Sequence, residues 1–185
     1  MNHLKALSVQ MAALALLCAE PAFADHDEGR AENRRDRDAT RTHIAFDMDY
    51  GSAVSEPGRA SGGGGALRIG EELDLFVVSL TPELGGGYHG FVGSSSARVY
   101  NGFLGGRLAV GKIVEPSIFG HFGVARLEGS ERRTAPMIDA GLALDLTVLP
   151  LIDLGAHGAY NVMLPREDGS AFRWMVLGAH AALVL

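Results

Sequence analysis

Between Ala135 and Val162 apolar and polar residues alternate with a period of two. Ile138, Ala140, Leu142, Leu144, Leu146 and Val148 occupy one parity; Asp139, Gly141, Ala143, Asp145 and Thr147 occupy the other. A helical face would repeat every three or four residues, so this stretch is a strand. After a Leu149-Pro150 corner the alternation resumes, with Ile152, Leu154, Ala156, Tyr160 and Val162 set against Asp153, Gly155, His157, Ala159 and Asn161. Each arm reaches the ~9–11 residues with which a tilted strand crosses a bilayer. One parity is free of charge and the other carries it, which predicts a transmembrane β-barrel with lipid outside and a polar lumen inside.

The pattern recurs along the chain. Ile44, Phe46, Met48 and Tyr50 alternate with His43, Ala45, Asp47 and Asp49, and the Ser-, Pro- and Gly-containing residues 51–62 read as a loop. Leu67 and Ile69 alternate with Arg68 and Gly70 over residues 63–72. Over residues 75–90, Phe76, Val78, Leu80, Leu84 and Tyr88 oppose Ser79, Thr81, Glu83, Gly85, Gly87 and His89. Pro82 has no ladder donor to give inside this strand, which predicts a bulge at Thr81-Pro82. Strands over 97–111 and 116–127 place Asn101, Gly105, Arg107, His121 and Gly123 on the inner parity. Residues 128–133 read as a charged loop, and a last strand follows the hairpin over 170–185.

The expected fold is therefore all-β, an eight-stranded antiparallel up-and-down transmembrane β-barrel. Both chain ends fall on the side of the short turns, which bacterial barrels keep in the periplasm. Tyr50, Tyr88, Tyr100, Tyr160 and Trp174 lie at the opposite strand ends and read as an aromatic girdle. The last strand strains this assignment, because Met175, Leu177, Leu183 and Leu185 outward leave Trp174 and Val176 inward.

Composition adds the compartment. Lys5 begins a charged region, Ala6 to Cys18 form an apolar one, and Ala22-Phe23-Ala24 precedes Asp25 as an A-x-A site, so residues 1–24 read as a secretory signal peptide. A lipoprotein reading through Cys18 meets the bulky Leu17 where a small residue is wanted. Without the leader no cysteine remains to form a disulfide. The chain is 47% apolar, yet no later run is long enough for a membrane helix. Residues 25–42 hold six acids and five arginines and almost nothing apolar, and read as a disordered periplasmic tail ahead of a barrel over 43–185. The net charge of −6 leaves no electrostatic footprint for nucleic acid.

The candidate chemistry lies on the inner parity. Asp47, Arg68, Glu83, Arg107, His121, Asp139, Asp145, Asp153, His157 and His180 all point into a lumen that, with eight strands, side chains fill. Asp47, Arg68, Arg107 and Asp145 fall at similar heights, with Glu83 on the strand between the two arginines. Unpaired buried charge is costly, so the carboxylates are expected to find the guanidiniums. Histidines 43, 89, 121, 157 and 180 share this parity but sit on five strands without an H-x-H or H-x₃-H pair. Spacing alone defines no metal-ligand set, so no metal or cofactor is assigned, and the imidazoles read as hydrogen-bond partners of the carboxylates.

Two other function classes bear on the same residues. A lipid-modifying barrel enzyme needs a nucleophile and a base at the outer rim. Ser94, Ser95 and Ser96 are there, but as ordinary turn residues, and His89 points inward, so no catalytic residue is assigned. The glycine clusters at 62–65 and 85–87 lack the strand-to-helix context of a phosphate loop. A soluble, lipocalin-like periplasmic carrier would reverse the parity, with apolar residues lining a cavity. The second face, rich in Gly and Ala and poor in Lys, is a poor solvated surface.

SLTPELGGGYHGF and the closing FRWMVLGAHAALVL, together with the leader and the strand count, resemble small outer-membrane barrels of the OmpA/OmpX/OmpW type over His43 to Leu185. The resemblance implies an integral protein of the Gram-negative outer membrane, surrounded by outer-membrane lipid and inserted by the barrel-insertion machinery, a place and a shape more than a role. With no catalytic set on the inner parity or at the rim, the expected role is structural or surface-interacting, with no surface partner named. Such barrels usually end in an aromatic residue, whereas this chain ends in Leu185.

Overall fold

The computed structural model describes residues 40–54, 60–75, 77–93, 96–129, 132–149, 151–165 and 169–185. The expected leader over 1–24 and the expected tail as far as Ala39 lie outside the described residues, as do Phe76, Ser94, Ser95 and Pro150.

Eight strands form: β1 (Arg41–Ala53), β2 (Ser61–Leu75), β3 (Val78–Phe91), β4 (Ala97–Val110), β5 (Val114–Glu128), β6 (Arg132–Leu149), β7 (Ile152–Met163) and β8 (Phe172–Val184). Each pairs antiparallel with its sequence neighbours, and β8 returns to β1 to close the barrel. Closure leaves no free strand edge. β1 begins two residues before the expected boundary. Thr42 and Leu185 exchange backbone hydrogen bonds of 2.9 Å across the seam, which draws the end of the expected tail into the sheet. β6 likewise takes in Arg132 and Arg133 from the expected charged loop.

Residues 76–77, 111–113 and 150–151 make the short connections at one end, called here the turn end, where β1 starts and β8 finishes. Gly111 has φ 119°, a left-handed conformation that side chains disfavour and a tight turn needs. The connections over 54–60, 92–96, 129–131 and 164–171 lie at the other end, the loop end.

No bulge forms at Thr81-Pro82. The β3–β4 register runs unbroken through Thr81↔Arg107, Pro82↔Gly106 and Glu83↔Gly105. On the other side, β2–β3 pairing passes from Gly70↔Glu83 to Leu73↔Leu80 in the same register. The donor that Pro82 lacks thus costs local pairing to β2 rather than an extra residue. A register shift does occur at Thr147/Leu149, where β6 enters its turn to β7.

The two parities separate cleanly in space. Phe46, Leu67, Ile118, Phe122, Leu142 and Leu177 are 56–73% exposed on the outer wall, while Asp47, Arg68, Glu83 and His180 are buried within. This is the reverse of a soluble carrier, whose apolar side chains would line the cavity. Tyr50, Tyr88, Tyr100 and Tyr160 are on the outer wall, 40–62% exposed.

Trp174 is not part of that girdle. It is 0% exposed and faces the lumen, where it packs with Phe91, Phe172, Val99, Met137 and Met163 in an apolar plug under the loop end. Its ring is 5.5 Å from that of Phe172, and the Phe91 and Phe172 rings meet edge-on at 5.9 Å. The physical reason is parity. Trp174 lies an even number of residues from the inward His180, and a strand's side-chain period of two allows no exception without a bulge. The inner parity thus turns from polar at mid-barrel to apolar at the loop end.

Trp174 is the single tryptophan of the chain, so its fluorescence reports the plug directly. Its emission in lipid vesicles should lie at short wavelength and resist quenching by both acrylamide and bilayers of brominated lipid. Tyr100→Trp in a Trp174→Phe background should be quenched strongly by the brominated chains. Equal lipid quenching of the two would put Trp174 back on the outer wall.

Candidate functional site

At mid-barrel the inward charges converge on two guanidiniums. Arg68 on β2 grips Asp47 on β1 with a two-point fork, Nε to Oδ2 and Nη2 to Oδ1, both at 2.8 Å. Its Nη1 donates to both oxygens of Glu83 on β3, at 3.0 and 3.1 Å. Arg107 on β4 stands with its Nε 3.1 Å from Glu83 Oε1 and donates from Nη1 to Asp145 on β6 at 2.8 Å. The Asp145 contact crosses the lumen between strands that are not neighbours. The flat, always-charged fork of arginine suits this carboxylate geometry, and charge-assisted pairs of this kind are the strong ones.

Histidines extend the network on both sides. His121 holds Asp139 at Nδ1 (2.7 Å) and Glu83 at Nε2 (3.1 Å). His180 pairs through Nε2 with Asp145. His157 binds Asp49 through Nε2 at 2.7 Å, and its Nδ1 stands 3.2 Å from Nδ1 of His180. His89 reaches the other oxygen of Asp49 at 3.1 Å. Nearer the turn end, His43 pairs with Glu72 at 2.7 Å.

Of the residues expected here, Asp47, Arg68, Glu83, Arg107, His121, Asp139, Asp145, His157 and His180 meet in one connected cluster. Asp153 does not join it; with Glu115 it lines a cavity of about 40 Å³ on the turn side of the network. A second cavity, of about 50 Å³, lies on the loop side beside His89, Phe103 and Asn101. Each holds a few waters at most. Asp49 and His89 belong to the cluster although only their parity pointed to it. The missing signal was register, which sets Asp49 beside Gly178 and so within reach of His157.

Register also explains the glycines. All five inward histidines lie directly opposite a glycine on an adjacent strand: His43↔Gly70, His89↔Gly64, His121↔Gly105, His157↔Gly178 and His180↔Gly155. A Cβ at Gly64, Gly105 or Gly155 would run into the imidazole opposite, and one at Gly178 into His157 and Asp49. The barrel interior is too narrow for a ring and a methyl at the same level, so these glycines are the space in which the rings lie flat against the wall.

No family model matches the chain, and no curated protein sequence matches it. Solved structures do. The Neisserial surface protein A, NspA, has a TM-score of 0.65 at 15% identity, covering 77% of this chain and 96% of its own. Ail, the attachment invasion locus protein of Yersinia pestis, has a TM-score of 0.49 at 14% identity, covering 78% and 99%. The outer membrane enzyme PagL has a TM-score of 0.49 at 13% identity, covering 75% and 98%. The chain has the fold of the small eight-stranded outer-membrane barrels.

Two substitutions test the cluster. Arg68→Ala strands Asp47 without its guanidinium, while Glu83 keeps Arg107 and His121, and should cost about 3–5 kcal/mol in urea unfolding from lipid or detergent. Gly178→Ala should cost about 1–3 kcal/mol through overpacking against Asp49, the Met48 carbonyl and His157. Gly102→Ala is the matched control, since an added Cβ there meets nothing within 4 Å, and it should leave the unfolding midpoint in place. Equal effects at Gly178 and Gly102 would remove the steric account of the glycines.

Proposed function

We propose that this protein is an integral barrel of a Gram-negative outer membrane that seals its own lumen and serves as a structural or surface-presenting element. The observation that carries the reading is the pairing of an exposed apolar wall with an interior shut twice over. Ionic contacts close the middle and packed aromatic and methionine side chains close the loop end. In this reading the turn end faces the periplasm, the loop end faces outward, and the four tyrosines sit at the outer lipid interface. A cleaved signal peptide over 1–24 and a periplasmic tail belong to the same proposal.

The non-enzymatic reading rests on where the reactive groups lie. His89, the imidazole nearest the loop end, is 5% exposed and turned to Asp49 rather than to lipid. The other inward histidines are likewise spent on carboxylates or on one another. A lipid-remodelling site needs such a group at the rim, within reach of an acyl or phosphate ester. Small cavities of about 40 and 50 Å³ on either side of the network, with a wider one of about 150 Å³ at the turn end beside Glu72 and Glu115, support a barrel closed at mid-height rather than a pore.

The protein should fractionate with outer membranes and migrate differently on SDS gels before and after boiling. Reconstituted in planar bilayers, it should give no steady single-channel conductance. Recovery as a soluble periplasmic protein, or a large and persistent conductance from the unaltered chain, would contradict the reading.

A further inference from the structure

We propose that His157 and His180, with Asp47, hold a divalent transition-metal ion of the zinc type inside the barrel. One ligand atom from each of the three lies within 4.8 Å of the others. The two histidines are on β7 and β8, and Asp47 is on β1, directly opposite His180 in the register. The site therefore spans the seam at which the two ends of the barrel meet.

The hydrogen bonds of the two rings carry the inference. Each gives its Nε2 to a carboxylate, His157 to Asp49 at 2.7 Å and His180 to Asp145. A neutral imidazole bonded in this way keeps its proton on Nε2 and leaves Nδ1 as a bare lone pair. The two Nδ1 atoms nevertheless face each other at 3.2 Å. Lone pairs brought that close in a buried site repel unless a proton or a metal ion lies between them. Two imidazole nitrogens on a tetrahedral zinc-type ion, each at ~2.0–2.1 Å, stand about 3.3 Å apart. A carboxylate behind each ligating ring is the usual outer shell of such sites, and ligating carboxylates are themselves hydrogen-bonded, as Asp47 is to Arg68.

Charge points the same way. Asp47, Asp49, Glu83, Asp139 and Asp145 bring five negative charges to the cluster, and Arg68 and Arg107 return two positive ones. His121, with a carboxylate on each ring nitrogen, donates from both and supplies a third. His89, whose Nδ1 has no protein partner among the described residues, is counted as neutral. Two negative charges are left over, the complement of one divalent ion. Held there, the ion would fasten β7, β8 and β1 together at the level of the arginine network.

The test begins with the unaltered chain, stripped with chelator in denaturant, refolded with excess Zn²⁺ and freed of unbound metal. One zinc per folded chain is expected. Refolded with Co²⁺ instead, the protein should show the visible absorption of a tetrahedral cobalt centre. Its proton NMR spectrum should carry two exchangeable, strongly shifted imidazole N–H signals, those of the Nε2 protons left on rings ligated through Nδ1. That readout needs no substitution and stands even where a variant fails to fold. His157→Gln and His180→Gln should lose the metal while His121→Gln keeps it, and Asp49→Asn should weaken affinity by about 10–100-fold. Wild type that refolds without zinc, its two rings sharing a proton instead, would overturn the proposal. So would cobalt spectra without the paired imidazole signals, or zinc retained unchanged in both glutamine variants.

Discussion

Arg68 enters the interior of this barrel only because Asp47 and Glu83 enter with it. A guanidinium cannot shed its charge, and one moved from water into a closed lumen without partners would cost more than a whole domain's margin of stability. The fork to Asp47 and the double contact to Glu83 answer that cost and oblige three strands, β1, β2 and β3, to hold a single register. A slip of one residue would turn every inward charge out to the apolar wall. Arg107 repeats the device across the lumen to Asp145, so the network ties β4 to β6, a strand it does not pair with. His89, His121, His157 and His180 fit because glycines clear the wall opposite them.

Most of the fold is legible in the sequence because a barrel wall is a two-sided constraint. From His43 to Leu185 the outer set must suit an apolar surrounding and the inner set must fit a narrow tube, and both demands act at every second residue. Ile138 to Val148 states the pattern so openly that its strand could not be mistaken. The inward grouping of Arg68 with Asp47 and Glu83 was legible for the same reason. The pattern fades where both parities are apolar. Near the loop end Phe91, Val99, Met137 and Met163 point inward beside exposed tyrosines, and hydrophobicity no longer tells inside from outside. Trp174 was assigned by its chemistry there, whereas counting back in twos from His180 gives its true side.

Two further features lay beyond the reach of sequence because they depend on register rather than on parity. The meeting of His157 with His180 joins residues on adjacent strands whose relative offset parity does not give. The His–Gly opposition needs the same knowledge five times over. Pro82 shows the opposite failure. The sequence rule for a proline in a strand offers a bulge or an edge, and the barrel takes neither, dropping local pairs to β2 and keeping its register to β4.

The claim on which this account rests is that Arg68 and Asp47 are a buried, mutually dependent pair and not two separate polar residues. A double-mutant cycle measures that dependence directly, using Arg68→Met, Asp47→Leu and the double variant in equilibrium urea unfolding. The account predicts a coupling of about 2–3 kcal/mol, with the double variant more stable than Arg68→Met alone, because removing both charges leaves neither stranded. Additive losses, with the double variant the least stable of the three, would contradict it.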